Sequence, residues 1–203
     1  NFLKDKIKGK KILDFGCGNG GFLICSSNLA SSVEGIELEE SLQKYFKEND
    51  LVVWPSIEKL PRGKIKNYDL ITAFHVFEHL SDPIFFLKKL SELLTKEGEI
   101  IIEVPNSDDA LLTLYENIDF SNFTYWSQHL FLFNNKTIEL LVRKAGLKLN
   151  WLKQIQRYPL SNHLYWLSKG KPGGHKVWSF LRDKKLDDLY SRHLSSIGKC
   201  DTI

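Results

Sequence analysis

The chain of 203 residues contains no methionine and only three cysteines, Cys17, Cys25 and Cys200. Three cysteines cannot all pair within one chain, and their spacing forms no metal-type pair. Neither a disulfide-stapled scaffold nor a cysteine zinc site is expected, and a reducing cytoplasm fits best. No apolar run reaches membrane-spanning length and no signal-peptide pattern opens the sequence, so no membrane insertion is expected. Charge of one sign is also scarce, with a net charge of +3 and a pI of about 8.6. So slight a balance does not by itself imply nucleic acid, and it suits a small anionic substrate. The absence of methionine even at residue 1 reads as the mark of a fragment, and the closing CDTI, on β-favouring residues, as an interruption.

What is present is enough for one buried core: hydrophobic residues make up 42% and charged residues 26%. A single domain over residues 1–203 is expected. Residues 1–106 form its ligand-binding half, 107–175 an acceptor-side insertion with loops, and 176–203 a C-terminal helix. The first hundred residues alternate between two kinds of pattern. Strands are expected at 11–15 (KILDF), 33–38 (VEGIEL), 51–54, 68–74 (YDLITAF) and 99–104 (EIIIEV). Helices are expected at 22–29, at 39–48, and from Pro83 to a stop at Gly98. Asp82 caps the last of these, and Ile84, Leu87, Leu90 and Leu94 repeat at helical spacing. Such alternation predicts an α/β fold, a parallel sheet with helices on both sides. Beyond Asn106 the pattern changes to an aromatic-rich stretch, 107–133, without clear periodicity. A helix over 136–145 capped by Asn134 or Asn135, a sixth strand over 147–155, a basic loop (KGKPGGH) and a long amphipathic helix over 176–196 complete the reading.

The strongest local signal is KILDFGCGNGGFL. Glycines at 16, 18 and 20 follow a strand and precede a helix, where the backbone can turn tightly and approach a ligand. Gly16, Gly18 and Gly21 also satisfy G-x-G-x-x-G, so the glycines alone leave open a nicotinamide or flavin cofactor and S-adenosylmethionine. Asp14 separates the two. A carboxylate at the mouth of the strand repels a pyrophosphate and favours a cationic sulfonium and ammonium group. Glu37, at the end of the second strand, can accept hydrogen bonds from ribose hydroxyls, a role common to both cofactors.

On LDFGCGNG, VEGIELEE and YDLITAFHVFEHLSDPIFFLKKLSELLTKEGEIIIEVPN, covering roughly residues 8–106, the chain resembles the class I S-adenosylmethionine-dependent methyltransferases. The resemblance implies a doubly wound, Rossmann-like, mostly parallel sheet of six to seven strands, the seventh antiparallel, flanked by helices, with an aromatic-rich insertion and a helical C-terminal extension. It implies S-adenosylmethionine as cofactor and S-adenosylhomocysteine as product. Asp14, Gly16, Gly18 and Gly20 would face the methionine part, with Cys17 contributing its backbone amide, Glu37 the ribose, and Leu38 the adenine. Ser56 stands where the family has its adenine-binding aspartate, which passes that contact to the backbone of Ile57. Ala73, Phe74 and His75 would line the cofactor's methyl end.

Residues 75–79, HVFEH, match the H-x-x-E-H signature of inverted zinc peptidases. Asp82-Pro83 starts the following helix too late to carry both histidines, so no metal site is expected, and Glu78 and His79 read as loop structure. For the acceptor, His129 in YWSQHLFLF is the first candidate for a general base, with His75 second. Asn106, Tyr125, Trp126, Arg157, His163, Lys171 and His175 are candidates for holding the acceptor. The basic residues bracket a glycine-proline loop suited to an anion. A looser likeness to methyltransferases that decorate bacterial capsule carbohydrates points to O-methylation of a sugar or phosphorylated carbohydrate, with no nucleic-acid partner. A nucleic-acid methyltransferase and a non-catalytic cofactor-binding module are the alternatives. Against the former, no N-P-P-Y-type loop follows the fourth strand.

Overall fold

The computed structural model describes residues 3–203, and every side chain among them except that of Arg62. The chain divides into two compact units, one of residues 1–77 and 82–103, the other of residues 78–81 and 104–203.

The first unit runs α1 (Lys4–Ile7), β1 (Lys11–Phe15), α2 (Gly21–Ser26), β2 (Ser32–Ile36), α3 (Gln43–Glu48), β3 (Val53–Trp54), β4 (Tyr68–Phe74), α4 (Pro83–Leu93) and β5 (Leu94–Glu103). Its sheet has five strands in the order β3-β2-β1-β4-β5, all parallel, with helices packed against it. Strands β1 and β4 read as apolar runs because they lie inside the sheet. Ile12, Leu13, Leu70 and Ile71 are all buried, and Ile12 and Leu70 share one cluster with Ile7 and Ile101. The chain moves outward from β1 to β3, then reverses and resumes at β4 on the other side of β1. That reversal makes a topological switch point at the carboxyl ends of β1 and β4, the place where open α/β sheets bind ligands.

Helix α4 starts as expected: Asp82 Oδ1 accepts the Phe85 amide at 2.9 Å, Pro83 occupies the first turn, and Leu87, Leu90 and Leu93 are buried. Its end differs. The helix stops at Leu93 and β5 begins at Leu94, so Gly98 lies inside a strand. The register slips there, Tyr68 opposing Leu94 while Leu70 opposes Glu99. A Cβ at Gly98 would lie 2.9 Å from the Tyr68 carbonyl oxygen, so the glycine permits a close backbone approach rather than ending a helix.

The second unit is built from α5 (Ala110–Thr113), α6 (Ile118–Thr124), α7 (Asn135–Lys144), α8 (Leu160–Lys169), α9 (Gly174–Val177) and α10 (Lys184–Ser196). Helix α7 is held by a reciprocal capping box between Asn134 and Thr137. Two expectations change here. The sheet has five strands rather than six or seven, because residues 147–155 form no strand: Leu149 and Trp151 stay more than a third exposed and only Ile155 pairs, as an isolated bridge to Thr202. The long helix expected over 176–196 is broken into α9, a 3-10 turn at Ser179–Leu181, and α10, which Asp183 caps afresh by accepting the Leu186 amide at 2.9 Å. The β-favouring tail pairs antiparallel, Val104 and Ile203 exchanging amide hydrogen bonds of 2.9 and 3.1 Å. Among the described residues no helix is long and apolar enough to cross a membrane.

Candidate functional site

The glycine loop leaves β1 through backbone that only glycine adopts readily: φ is +73° at Gly16, +53° at Gly18 and +76° at Gly20. A side chain at Gly16 would also strike Val76 Cγ2 at 2.5 Å, whereas a Cβ on Gly18 meets nothing within 4 Å. Five of the loop's amides are already committed. Those of Gly16 and Cys17 donate to the Ile36 carbonyl, that of Gly20 to Cys17, and that of Gly21 to Asn19 Oδ1. The Gly18 amide donates to Glu37 Oε2 at 2.8 Å, while Glu37 Oε1 accepts the Glu39 amide at 3.0 Å. A dinucleotide's pyrophosphate needs such amides unclaimed, and here a carboxylate holds the one at the centre of the turn.

Asp14 reinforces this. It is 3% exposed, and its Oδ1 accepts a 2.6 Å hydrogen bond from the Thr72 hydroxyl across the β1–β4 register. Burial pushes its carboxyl up to about 7; the Thr72 bond draws it back and the nearby Glu37 charge raises it again. Two carboxylates that oppose each other's ionisation at a strand mouth are relieved by a positive ligand and aggravated by a diphosphate. The same two acids, after burial as the main cause, lift the Cys17 thiol to about 12, so Cys17 is a neutral packing group and no thiolate nucleophile.

The other residues expected at the cofactor are carried by the same unit. Leu38, beside Glu37, is 77% exposed, a free apolar face. Ser56 and Ile57 open a 3-10 turn after β3, with Ser56 drawing the Glu58 carboxyl below its usual range by a hydrogen bond. Ala73 is fully buried and Phe74 ends β4. His75 follows at φ +56°, a left-handed conformation that costs a non-glycine residue energy, and its Nε2 lies 3.1 Å from Glu103 Oε1. The five residues of HVFEH are shared between the two units. His75 turns to Glu103, while Glu78 and His79 belong to the second unit.

Within that unit the acceptor candidates separate. Tyr125 and Trp126 are 61% and 45% exposed, and Trp126 meets the His129 ring edge-to-face at 5.6 Å. Arg157 and Lys171 are exposed, and His175 is half-buried against Tyr158. Two candidates are corrected. His163 is 1% exposed, and its nitrogens meet the Tyr190 hydroxyl at 2.8 Å and Gln156 Nε2 at 3.1 Å. Burial lowers it to about 4, so it is a neutral core group with no face for a ligand. Asn106 is 2% exposed; its Nδ2 donates to the Cys200 carbonyl at 2.8 Å and its Oδ1 accepts the Asp108 amide at 3.0 Å. It fastens the C-terminal segment instead of binding an acceptor. Thr72, bonded to the buried Asp14 carboxyl, is the residue of this cluster that sequence reading missed, because nothing in YDLITAF shows which strand β4 faces.

Comparison with known proteins agrees with the cofactor geometry. A family model described as a methyltransferase domain matches residues 1–150, and the chain belongs to that family. The fold is the Rossmann-like fold of class I S-adenosylmethionine-dependent methyltransferases, and S-adenosylmethionine is the cofactor. A solved S-adenosylmethionine-dependent methyltransferase from Archaeoglobus fulgidus superposes with a TM-score of 0.62 over 99% of this chain and 89% of that one, at 20% identity, a likeness of fold alone. Among curated relatives, the tRNA U34 carboxymethyltransferase of Pseudomonas fluorescens (strain Pf0-1) is 30% identical over 151 residues, 69% of this chain and 46% of that protein. The ubiquinone biosynthesis O-methyltransferase of Acinetobacter baylyi is 25% identical over 175 residues, 80% of this chain and 73% of that protein. The chain thus spans under half the length of the tRNA enzyme it matches. These relatives overturn two expectations, a carbohydrate acceptor and the absence of a nucleic-acid partner, and nothing in them supports a capsule-modifying subtype.

Proposed function

We propose that this chain carries the methyltransferase domain of an enzyme that modifies tRNA in the cytoplasm. The observation that carries the proposal is its 30% identity, over 151 residues, to a tRNA U34 carboxymethyltransferase. When bound, S-adenosylmethionine supplies an electrophilic methyl group on a cationic sulfur. Asp14 and Glu37 supply the negative field that holds it, with Thr72 orienting the Asp14 carboxylate through their 2.6 Å bond. Phe123, Tyr125, Trp126 and Phe131, each 40% exposed or more, offer aromatic faces on which unstacked RNA bases can lie. Arg157, Lys169 and Lys171 add positive charge for phosphates.

The test is transfer of a labelled methyl group from the donor to bulk tRNA, followed by nuclease digestion to find the marked nucleoside. Label in one nucleoside is expected, with tRNA affinity falling as salt rises. Trp126→Ala should raise the KM for tRNA and leave donor affinity unchanged. Label passing to small phenolic acceptors with none entering RNA would overturn the proposal.

A further inference from the structure

We propose that Glu78, His79 and His129 form a site for one divalent transition-metal ion. One ligand atom from each lies within 4.8 Å of the other two, and all three belong to the second unit. The local fold brings them together. The Glu78 carbonyl accepts the amides of Leu130 and Phe131 at 2.8 and 3.1 Å, which ties residues 78–79 alongside the segment that carries His129. The two imidazole rings then sit 5.0 Å apart.

The orientation of both rings points to metal. His79 Nδ1 is 2.8 Å from the Gln128 carbonyl oxygen, and His129 Nδ1 is 2.7 Å from that of Thr124. A carbonyl only accepts, so each Nδ1 bears the proton and each Nε2 carries the lone pair. This backbone-anchored tautomer is the usual arrangement of a metal-ligating histidine. The Glu78 side chain is 1% exposed and its Oε1 lies 4.0 Å from His79 Nε2, so an anionic oxygen stands beside a nitrogen donor in a poorly solvated place. Tetrahedral zinc, at ~2.0–2.1 Å from its ligands, needs them ~3.4 Å apart, a closure of up to about 1.4 Å from the 4.8 Å separation that side-chain rotation can supply.

Two imidazole nitrogens and one carboxylate oxygen favour Zn²⁺, Co²⁺ or Fe²⁺ over Mg²⁺ or Ca²⁺. Three protein ligands leave a position for water or an oxygen of a bound acceptor, the pattern of catalytic rather than structural sites. The site rests on these side chains alone and not on tRNA as the acceptor. It departs from the sequence expectation of no metal, and it uses Glu78 and His79 of HVFEH with His129 in place of His75.

The probe is Co²⁺ titrated into the full chain, followed by its visible absorption and by calorimetry. One equivalent should bind, be displaced by Zn²⁺ and raise the melting temperature. His79→Ala and His129→Ala should each weaken binding by at least about tenfold, while His193→Ala, at an exposed site on α10, should bind as the wild type does. Should His129→Ala unfold, His79→Gln, at a side chain 36% exposed, carries the same test. A wild-type chain that takes up no Co²⁺ at micromolar concentration, or a His79→Ala/His129→Ala chain that binds it unchanged, would overturn the site.

Discussion

The two units hold their chemistry in place by different means. In the first, Asp14, Thr72 and Glu37 sit where parallel strands end, and the register itself sets Asp14 opposite Thr72. In the second, positions are set by side chains bonded to distant backbone. Asn106 reaches Cys200; Gln154 Oε1 accepts the Cys200 amide at 3.1 Å; and Asp201 Oδ1 and Oδ2 accept the amides of Arg157 and Tyr158 at 2.9 and 3.1 Å. A ladder distributes its load over many similar bonds. A web of single polar contacts concentrates it, because a buried donor or acceptor left without its partner keeps its full desolvation cost. The second unit should therefore be the more sensitive to loss of one polar side chain.

The sharpest way to break that contrast is Asn106→Ala. It strands the Cys200 carbonyl and the Asp108 amide, and a loss of about 3 kcal/mol in urea-denaturation stability is expected, with donor affinity unchanged by calorimetry. Asp14→Asn should do the reverse. It removes a charged partner of the cofactor, worth a loss of roughly 10- to 100-fold in donor affinity, yet should not destabilise the fold. The sign follows from Asp14 titrating near 7 in the fold against 3.8 outside it. Between those values the folded state holds the extra proton, so this group's contribution to stability falls as pH rises from about 4 through 7. The variant's melting temperature should match or exceed the wild type's at pH 8.

His163→Gln probes the opposite slope in the second unit. Buried His163 titrates near 4 in the fold against 6.5 outside, so the unfolded chain takes up its proton first. The wild type should lose stability as pH falls from 6.5 towards 4, and the variant should lose about 1–2 kcal/mol less over that window, read from melting temperature against pH. Asp109, raised to about 7 mainly by burial, pulls the other way in both proteins and cancels in the comparison. The smallest effect should come from Asn134→Ala, which opens the capping box of α7 and costs about 1 kcal/mol by thermal denaturation.

The placement of Asp14, Glu37 and the glycine turn was legible because it is local: a carboxylate two residues before a left-handed turn has one strand end to sit on. The caps of α4 and α7 were legible for the same reason. Other features were hidden because their partners lie far along the chain. Thr72 looks like any strand threonine until β4 is known to pair with β1. Gly98 looks like a helix stop until the register slip with Tyr68 is seen. Residues 147–155 alternate like a strand, yet among the described residues only Ile155 finds a pairing partner, Thr202. His163 has the same residue type as His129 but opposite surroundings.

The sequence by itself determined the strand–turn–helix that follows β1, the acidic residues beside it and the entry points of α4 and α7, since each depends on residues within about one turn of one another. Tertiary structure alone decided that Thr72 steadies Asp14, that Asn106 and His163 are core groups, and that His129 meets Glu78 and His79. Periodicity and turn chemistry report which face of an element is buried. They carry no record of which distant element covers it.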